Sequence, residues 1–345
     1  MKLVILGGGF CGAIVAKKCD KVKGVDLVLI DEKSYYEYTP SIYKLVSDTE
    51  YFEKITIPFE KIMHHGKIIR DQLTKLTNEY VETKNEKITY DYLVISTGIE
   101  YPIFLENQEN VFTLKSSVGA MQINKKIVNA KHVLIIGGGL IGTEMAGELV
   151  TKMKGKHVTI IHSEDRLIER NPVKASQYAK NFLEKKGTKI IFNEKIVKHE
   201  DRNFISDKGS KIEADLAIWC AGIRWSLDYI KNFDSQIFTN KGALKVNDHL
   251  QLCGYENIFA GGDVCSISEE KTAQNARHHG SIIAKNIHKL MKNKRKISYK
   301  PKKRIMIISL GDYAGILIYG KIVITGIIPG ILKSFVQRIT MQRYK

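Results

Sequence analysis

The chain has 345 residues, 43% hydrophobic and 26% charged, a composition that excludes a disordered or fibrous protein, and its length suggests two or three domains at about 100–200 residues each. No apolar run approaches the roughly 18–20 residues of a membrane span, and the opening run at residues 3–6 meets glycines too soon for a secretory leader. The formal charge of +17 is uneven: residues 271–345 carry 17 Lys or Arg against one acid, Asp312, so the rest is nearly neutral and the basic end invites an anionic partner, whether membrane lipid, nucleic acid or an acidic protein.

In chain order, the first element reads as a buried strand over residues 2–6, a glycine turn (Gly7, Gly8, Gly9, Phe10, Cys11, Gly12) and a helix from residue 13 to 18. A second strand over 25–30 ends in Asp31, 19 residues after Gly12. That is close to the spacing of about 20 at which an acid meets the ribose of a bound dinucleotide. A strand at 92–96 runs into Thr97-Gly98. The opening pattern then recurs 130 residues on: a strand at 132–136, the turn Gly137, Gly138, Gly139, Leu140, Ile141, Gly142, a helix over 143–154, and a strand ending at His162. This is a duplicated nucleotide-binding unit, since solenoid repeats have periods of roughly 20–50 residues. Strands at 216–220 and 257–260 run into Ala221-Gly222 and Gly261-Gly262-Asp263, and a helix follows over about 272–291. Each strand is a short apolar run that stops at glycine, as buried parallel strands do.

The two glycine turns carry the first chemistry. In a G-x-G-x-x-G turn the first glycine permits the tight bend and the second lets backbone approach a pyrophosphate. The third lets helix and strand pack closely, and the helix N-terminus supplies N–H donors and partial positive charge. One such turn is weak evidence; two, each between strand and helix, predict two dinucleotide sites. The five cysteines (Cys11, Cys19, Cys220, Cys253, Cys265) form no C-x-x-C pair and are odd in number, so a reducing compartment is expected and a disulfide framework is not. His278-His279 lack Cys, Asp or Glu at ligand spacing, and no metal site is expected.

Ser96-Thr97-Gly98, Ala221-Gly222, and Ala260 to Asp263 together with the two glycine turns resemble the two-dinucleotide-binding-domain flavoproteins over residues 1 to about 290. Within them the chain is most similar to the type II NADH dehydrogenases and the apoptosis-inducing-factor-homologous quinone reductases. GGGLIGTEMAGEL from Gly137, YEYTPSIYKLV from Tyr36, WCAGIR from Trp219 and AQNARH from Ala273 carry that likeness, as do Ser309-Leu310-Gly311 and Leu332-Lys333 near the end. In the last of the internal motifs His278 replaces the relatives' second Gln.

The resemblance implies an α/β fold of two Rossmann-like dinucleotide-binding domains, the second inserted in the first, plus a small C-terminal membrane-associating region. The expected division is residues 1–111 and 229–300 for FAD, 112–228 for NAD(P)H, and 301–345 for the cap. It implies FAD contacts from Gly7, Gly9, Phe10, Cys11, Gly12, Asp31, Glu32, Pro40, Thr97, Gly98, Gly262, Asp263 and Gln274. NAD(P)H would meet Gly137, Gly139, Leu140, Ile141, Gly142, Glu144, His162, Ala221 and Gly222. Glu144 would lie between nicotinamide, flavin and quinone, while Gln274, His278 and Lys333 would border the quinone pocket. At His162 an acid would favour NADH and a cation NADPH; with Glu164 and Arg166 close by, the residues lean towards NADH and leave dual use open.

The expected function is hydride transfer from NAD(P)H to FAD and then two electrons to a membrane quinone, with the protein peripheral on the inner, cytoplasmic face. Expected partners are the quinone, an anionic membrane surface and a second copy of the chain. Residues 322–332, apolar apart from Thr325, are too short to span a bilayer but can lie in its interface; a buried hairpin and helix is the other reading. The rival enzyme is a reductase of an acidic electron carrier such as ferredoxin. Dithiol and sulfide:quinone reductases need cysteines that this chain lacks. Specific nucleic acid binding is not expected, because the basic end interleaves Ile and Leu rather than base-stacking aromatics.

Overall fold

The computed structural model describes residues 1–303 and 305–344. Arg304 and Lys345, both counted in the basic end, lie outside the described residues.

Two five-stranded parallel sheets carry the molecule. The first runs Ile258–Ala260, Tyr92–Ile95, Lys2–Leu6, Asp26–Asp31, Lys67–Arg70 across its width. The second runs Val111–Thr113, Leu216–Trp219, His132–Ile136, His157–His162, Lys189–Phe192. The four strands after the edge strand occur in the same order in both, so the duplication seen in the two glycine turns extends to topology. Leu3, Val4, Ile5 and Leu6 are buried on both faces, as are Val133 to Ile136. Such strands hold helices on either side and read as unbroken apolar runs. Because residues 2–95 and 258–260 share one sheet while 111–219 form the other, the second unit sits inside the first in sequence.

The helix after the first turn is Phe10–Cys19 and the helix after the second is Leu140–Lys152. The second begins three residues before the expected start at 143, because the helix opens at the glycine turn itself. The late helix is Ala273–Met291, capped by the Thr272 side chain accepting from the Asn275 N–H. It packs along Phe10–Cys19, where a Cβ on Gly280 would come 2.4 Å from the Cys11 carbonyl oxygen.

Residues 322–332 take the hairpin-and-helix form rather than a single stretch. They split into the strand Ile322–Gly326 and the opening of the helix Ile327–Gln342. Gly326 (φ +110°) makes the break, and Pro329 sits in the first helical turn, where no intrahelical N–H bond is required. The strand is the edge of an antiparallel sheet, Met306–Ser309, Gly315–Tyr319, Ile322–Gly326. This cap docks on the second nucleotide helix at Gly147, where a Cβ would come 2.7 Å from Leu310 Cα. Among the described residues no helix is long and apolar enough to cross a membrane. Ile322, Ile324, Ile327, Ile328, Ile331 and Phe335 nevertheless all stand exposed on the cap.

Candidate functional site: two dinucleotide cradles and a buried Glu144–Lys333 pair

The two glycine turns are built alike. Gly7 (φ +87°) and Gly137 (φ +110°) occupy backbone that side chains rarely adopt. A Cβ on Gly12 would lie 1.9 Å from the Gly7 carbonyl oxygen, and one on Gly142 would lie 1.9 Å from that of Gly137. By contrast a Cβ on Gly9 or Gly139, each the residue before its helix, would meet nothing within 4 Å. The outer glycines thus seal turn against helix, and the middle ones leave open space before helix N-termini. That cradle fits a pyrophosphate. Phe10, Cys11, Leu140 and Ile141 fill the first helical turns.

At the end of the second strand of the first unit, Asp31 Oδ2 accepts the Gly8 N–H at 2.6 Å and Oδ1 accepts that of Lys33 at 2.8 Å. This fixes the carboxylate at the strand end beside the glycine turn. Glu32 beside it is exposed, its carbonyl accepting from the Arg70 guanidinium at 3.3 Å. In the second unit His162 holds the matching position, its ring packed beneath Gly138. Its Nε2 lies 3.3 Å from Glu169 Oε2. Arg166 is turned into its own loop, donating to the carbonyls of Asn171 and Glu169 and to the Ser176 hydroxyl. Arg170 stands between two carboxylates, Glu169 at 3.4 Å and Glu270 at 3.6 Å.

The remaining residues expected to meet FAD or NAD(P)H are held as follows. Pro40 opens the 3-10 helix Thr39–Val46. Thr97 shares a hydrogen bond of 2.8 Å with the Tyr229 hydroxyl, and Gly98 has φ +78°. Ala221 accepts from the Trp219 indole at 2.7 Å before Gly222 (φ +74°). The Asp263 carboxyl is raised by burial against the opposing pull of Lys271 and His279, while its backbone carbonyl accepts from the Trp225 indole at 2.9 Å. The turn before it is pinned from behind: the Gly262 N–H donates to His279 Nδ1 at 3.0 Å. Glu269 lies 2.8 Å from His279 Nε2 and accepts from the Tyr299 hydroxyl.

Glu144 stands in the second turn of Leu140–Lys152 and is buried. Its Oε1 accepts the Ser309 N–H at 2.9 Å and pairs with the Lys333 ammonium. Residues 189 positions apart thus meet in the core. Desolvating two such charges costs several kcal/mol per ion unless each is partnered; here each partners the other and Ser309 supplies a further donor. Two tyrosines wall the pair. Burial, helped by the Glu144 charge, pushes the Tyr38 phenol up to about 12 and the Tyr43 phenol well above its ordinary value. The Lys333 ammonium sits 5.7 Å from the Tyr43 ring centre. The other two expected quinone-side residues stand one turn apart on Ala273–Met291. Gln274 donates to the Ile305 carbonyl at 2.9 Å, and His278 faces the Tyr299 ring at 5.0 Å. The structure therefore joins Glu144 to Lys333 and ties Gln274 to the segment entering the cap.

Sequence reading missed Tyr38, Tyr43, Ser309 and Glu169 as site residues. The first three lie in segments that carried the resemblance, but nothing in their spacing shows that they face Glu144. Missed too was Tyr344, fully buried with its ring stacked on Tyr36 at 4.2 Å.

The cap is latched beside this pair. Asp312 Oδ1 lies 3.2 Å from the Lys44 ammonium, and Oδ2 pairs with Lys152. Burial alone would raise the Asp312 carboxyl, but the two ammonium groups outweigh it and hold it below its ordinary value. A depressed folded-state value means that the latch stabilises fully above the unfolded value, about 3.9, and is lost as pH falls through the folded one. Amide exchange in residues 306–326 is expected to accelerate below about pH 4 in the natural protein. In Asp312→Asn it should be fast already at neutral pH.

A family model described as pyridine nucleotide-disulphide oxidoreductase matches residues 1–280. The chain is 30% identical to apoptosis-inducing factor homolog A of Dictyostelium discoideum, over 91% of this chain and 84% of that protein. It is 25% identical to a type II NADH:quinone oxidoreductase of Staphylococcus haemolyticus, over 93% and 90% respectively. In fold it resembles NDH2 from Plasmodium falciparum, solved in complex with NADH, with a TM-score of 0.85 at 17% identity over 99% of this chain and 98% of that one.

Proposed function

Since the chain belongs to the pyridine nucleotide-disulphide oxidoreductase family and is an enzyme that uses FAD and NAD(P)H, we propose that it is an NADH:quinone oxidoreductase working at a membrane surface. FAD, when bound, supplies the two-electron chemistry between nicotinamide and quinone. The chain supplies binding, orientation and protons. Residues 1–111 and 229–300 hold FAD, with the first cradle and Asp31 at its pyrophosphate and ribose and Asp263 on its polyol. Residues 112–228 hold the nicotinamide nucleotide. NADH is favoured because the carboxylate of Glu169 stands on His162 where a 2′-phosphate would come, and the loop's two arginines are already engaged.

The observation that carries the quinone reading is the Glu144–Lys333 pair. It buries an acid and a base between the second cradle's helix and a cap whose outer surface is apolar. Gln274 and His278, one turn apart on Ala273–Met291, would border the quinone approach. Exposed Ile322, Ile324, Ile327, Ile328, Ile331 and Phe335, with Lys321 and Arg338 among them, make a surface suited to lie in a bilayer interface.

Flotation with anionic vesicles containing a long-chain quinone tests this. The protein should float and oxidise NADH at the expense of the vesicle quinone, with NADPH much slower. Glu substitutions at Ile328 and Ile331 together should abolish flotation while turnover with a water-soluble quinone persists. A protein that stays with the aqueous phase and ignores quinone, yet reduces ferredoxin, would be the carrier reductase instead.

A further inference from the structure

Reduction of a quinone by NADH consumes one proton that neither reactant brings: NADH + H⁺ + quinone gives NAD⁺ + quinol. The hydride accounts for both electrons and one hydrogen, so the second hydrogen comes from water. It has to reach a site where the side chains of Glu144 and Lys333 are each only 10% exposed.

One turn along the same helix is Glu148, 1% exposed. Residues four apart on a helix share a face, with Cβ atoms about 5–6 Å from each other. The Ser47 hydroxyl donates to Glu148 Oε1, and Oε2 has no hydrogen-bond partner among the described residues. A buried carboxylate with a bare oxygen is costly as an anion, and burial raises this carboxyl even against Ser47 and Lys44. The buried Tyr43 phenol lies within the field of both Glu144 and Glu148, its hydroxyl without a hydrogen-bond partner among the described residues. Outward, Lys44 and Asp312 act on Glu148, and Asp312, 32% exposed, pairs with the exposed Lys152. Titratable groups thus run from the surface to the Glu144–Lys333 pair.

We propose that Glu148 relays the solvent proton of each turnover to Glu144, one helical turn away, drawing it from the side of the half-buried Ser47 hydroxyl. Glu144 then gives its proton to a quinone oxygen and recovers one from Glu148, which is reprotonated from the surface; no electrons move in these steps. This rests on the quinone-reductase reading.

The test uses full-length, FAD-loaded protein and separate half-reactions by rapid mixing, in water and in deuterium oxide. Glu148→Gln keeps the shape of a protonated acid and can still accept from Ser47, but has no proton to release. Reoxidation by a short-chain quinone should slow by on the order of tenfold or more, within the range of lost acid–base catalysis, with a larger solvent isotope effect. Glu148→Asp, which retains the acid on a shorter arm, should recover part of the rate; a purely structural role would instead make Asp the worse of the two. Quinone reoxidation at the natural rate and isotope effect in Glu148→Gln would overturn the relay. Failure of the unsubstituted protein to be reoxidised by quinone would overturn the quinone reading and the relay with it.

Discussion

Gly142→Ala should yield a protein that still carries FAD but is scarcely reduced by NADH. The new Cβ would sit 1.9 Å from the Gly137 carbonyl oxygen and 3.2 Å from Ile135 Cγ2, so backbone, not a flexible side chain, has to move. Overpacking of this kind costs about 1–3 kcal/mol, which the fold can bear. The turn and helix would part, however, and displacement of a bound reactant by about 1 Å can cost roughly a hundredfold in rate. The first cradle is separate, and its own seal at Gly12 is intact. Flavin content by absorbance should therefore match the natural protein while bleaching by NADH slows by about two orders of magnitude. The sister variant Gly12→Ala, with the same 1.9 Å clash against Gly7, should instead emerge without flavin. Normal NADH reduction in Gly142→Ala would mean that the second turn is a packing element and not a nucleotide cradle.

The second large effect is expected at Glu144 and Lys333. Either charge removed alone leaves the other buried beside an apolar cap, which typically costs about 3–5 kcal/mol. Glu144→Gln and Lys333→Met should each lower the melting temperature and reduce quinone turnover sharply. The double variant, freed of any unpaired charge, should melt above both single variants while remaining inactive towards quinone. Side chains in contact are not additive, and the cycle measures their coupling. Additive losses of stability would show that the two do not act as a pair in the folded protein. Loss of stability without loss of turnover would make the pair structural.

Much of the frame could be read from local pattern. Both glycine turns, their flanking strands and the helix opening near Thr272 depend on residues close in sequence, and periodicity reports such elements. Glu144 and Lys333 were placed in the site only by resemblance, since no spacing rule joins positions 189 apart. At His162 the residues alone lean towards NADH and leave dual use open. The carboxylate that meets the His162 ring comes from Glu169, across a loop turned by Ile168 at φ +45°. For residues 322–332 hydropathy alone leaves an interfacial stretch and a buried hairpin and helix both open. Gly326 and Pro329 already marked a break and a helix start, and with those signals weighted first the strand and helix would have been separable. The relay residue Glu148 was visible as an acid four places after Glu144, but only burial reveals that one of its oxygens is bare.

The central claim is that electrons pass from NADH through this protein to a quinone, and anaerobic mixing of FAD-loaded protein tests it most directly. Flavin absorbance is followed first with NADH and then with a short-chain ubiquinone or menaquinone analogue. Rapid bleaching by NADH, slower bleaching by NADPH, and full recovery on adding quinone is the predicted result. Bleaching without recovery by quinone would contradict the claim and leave a protein carrier as the acceptor.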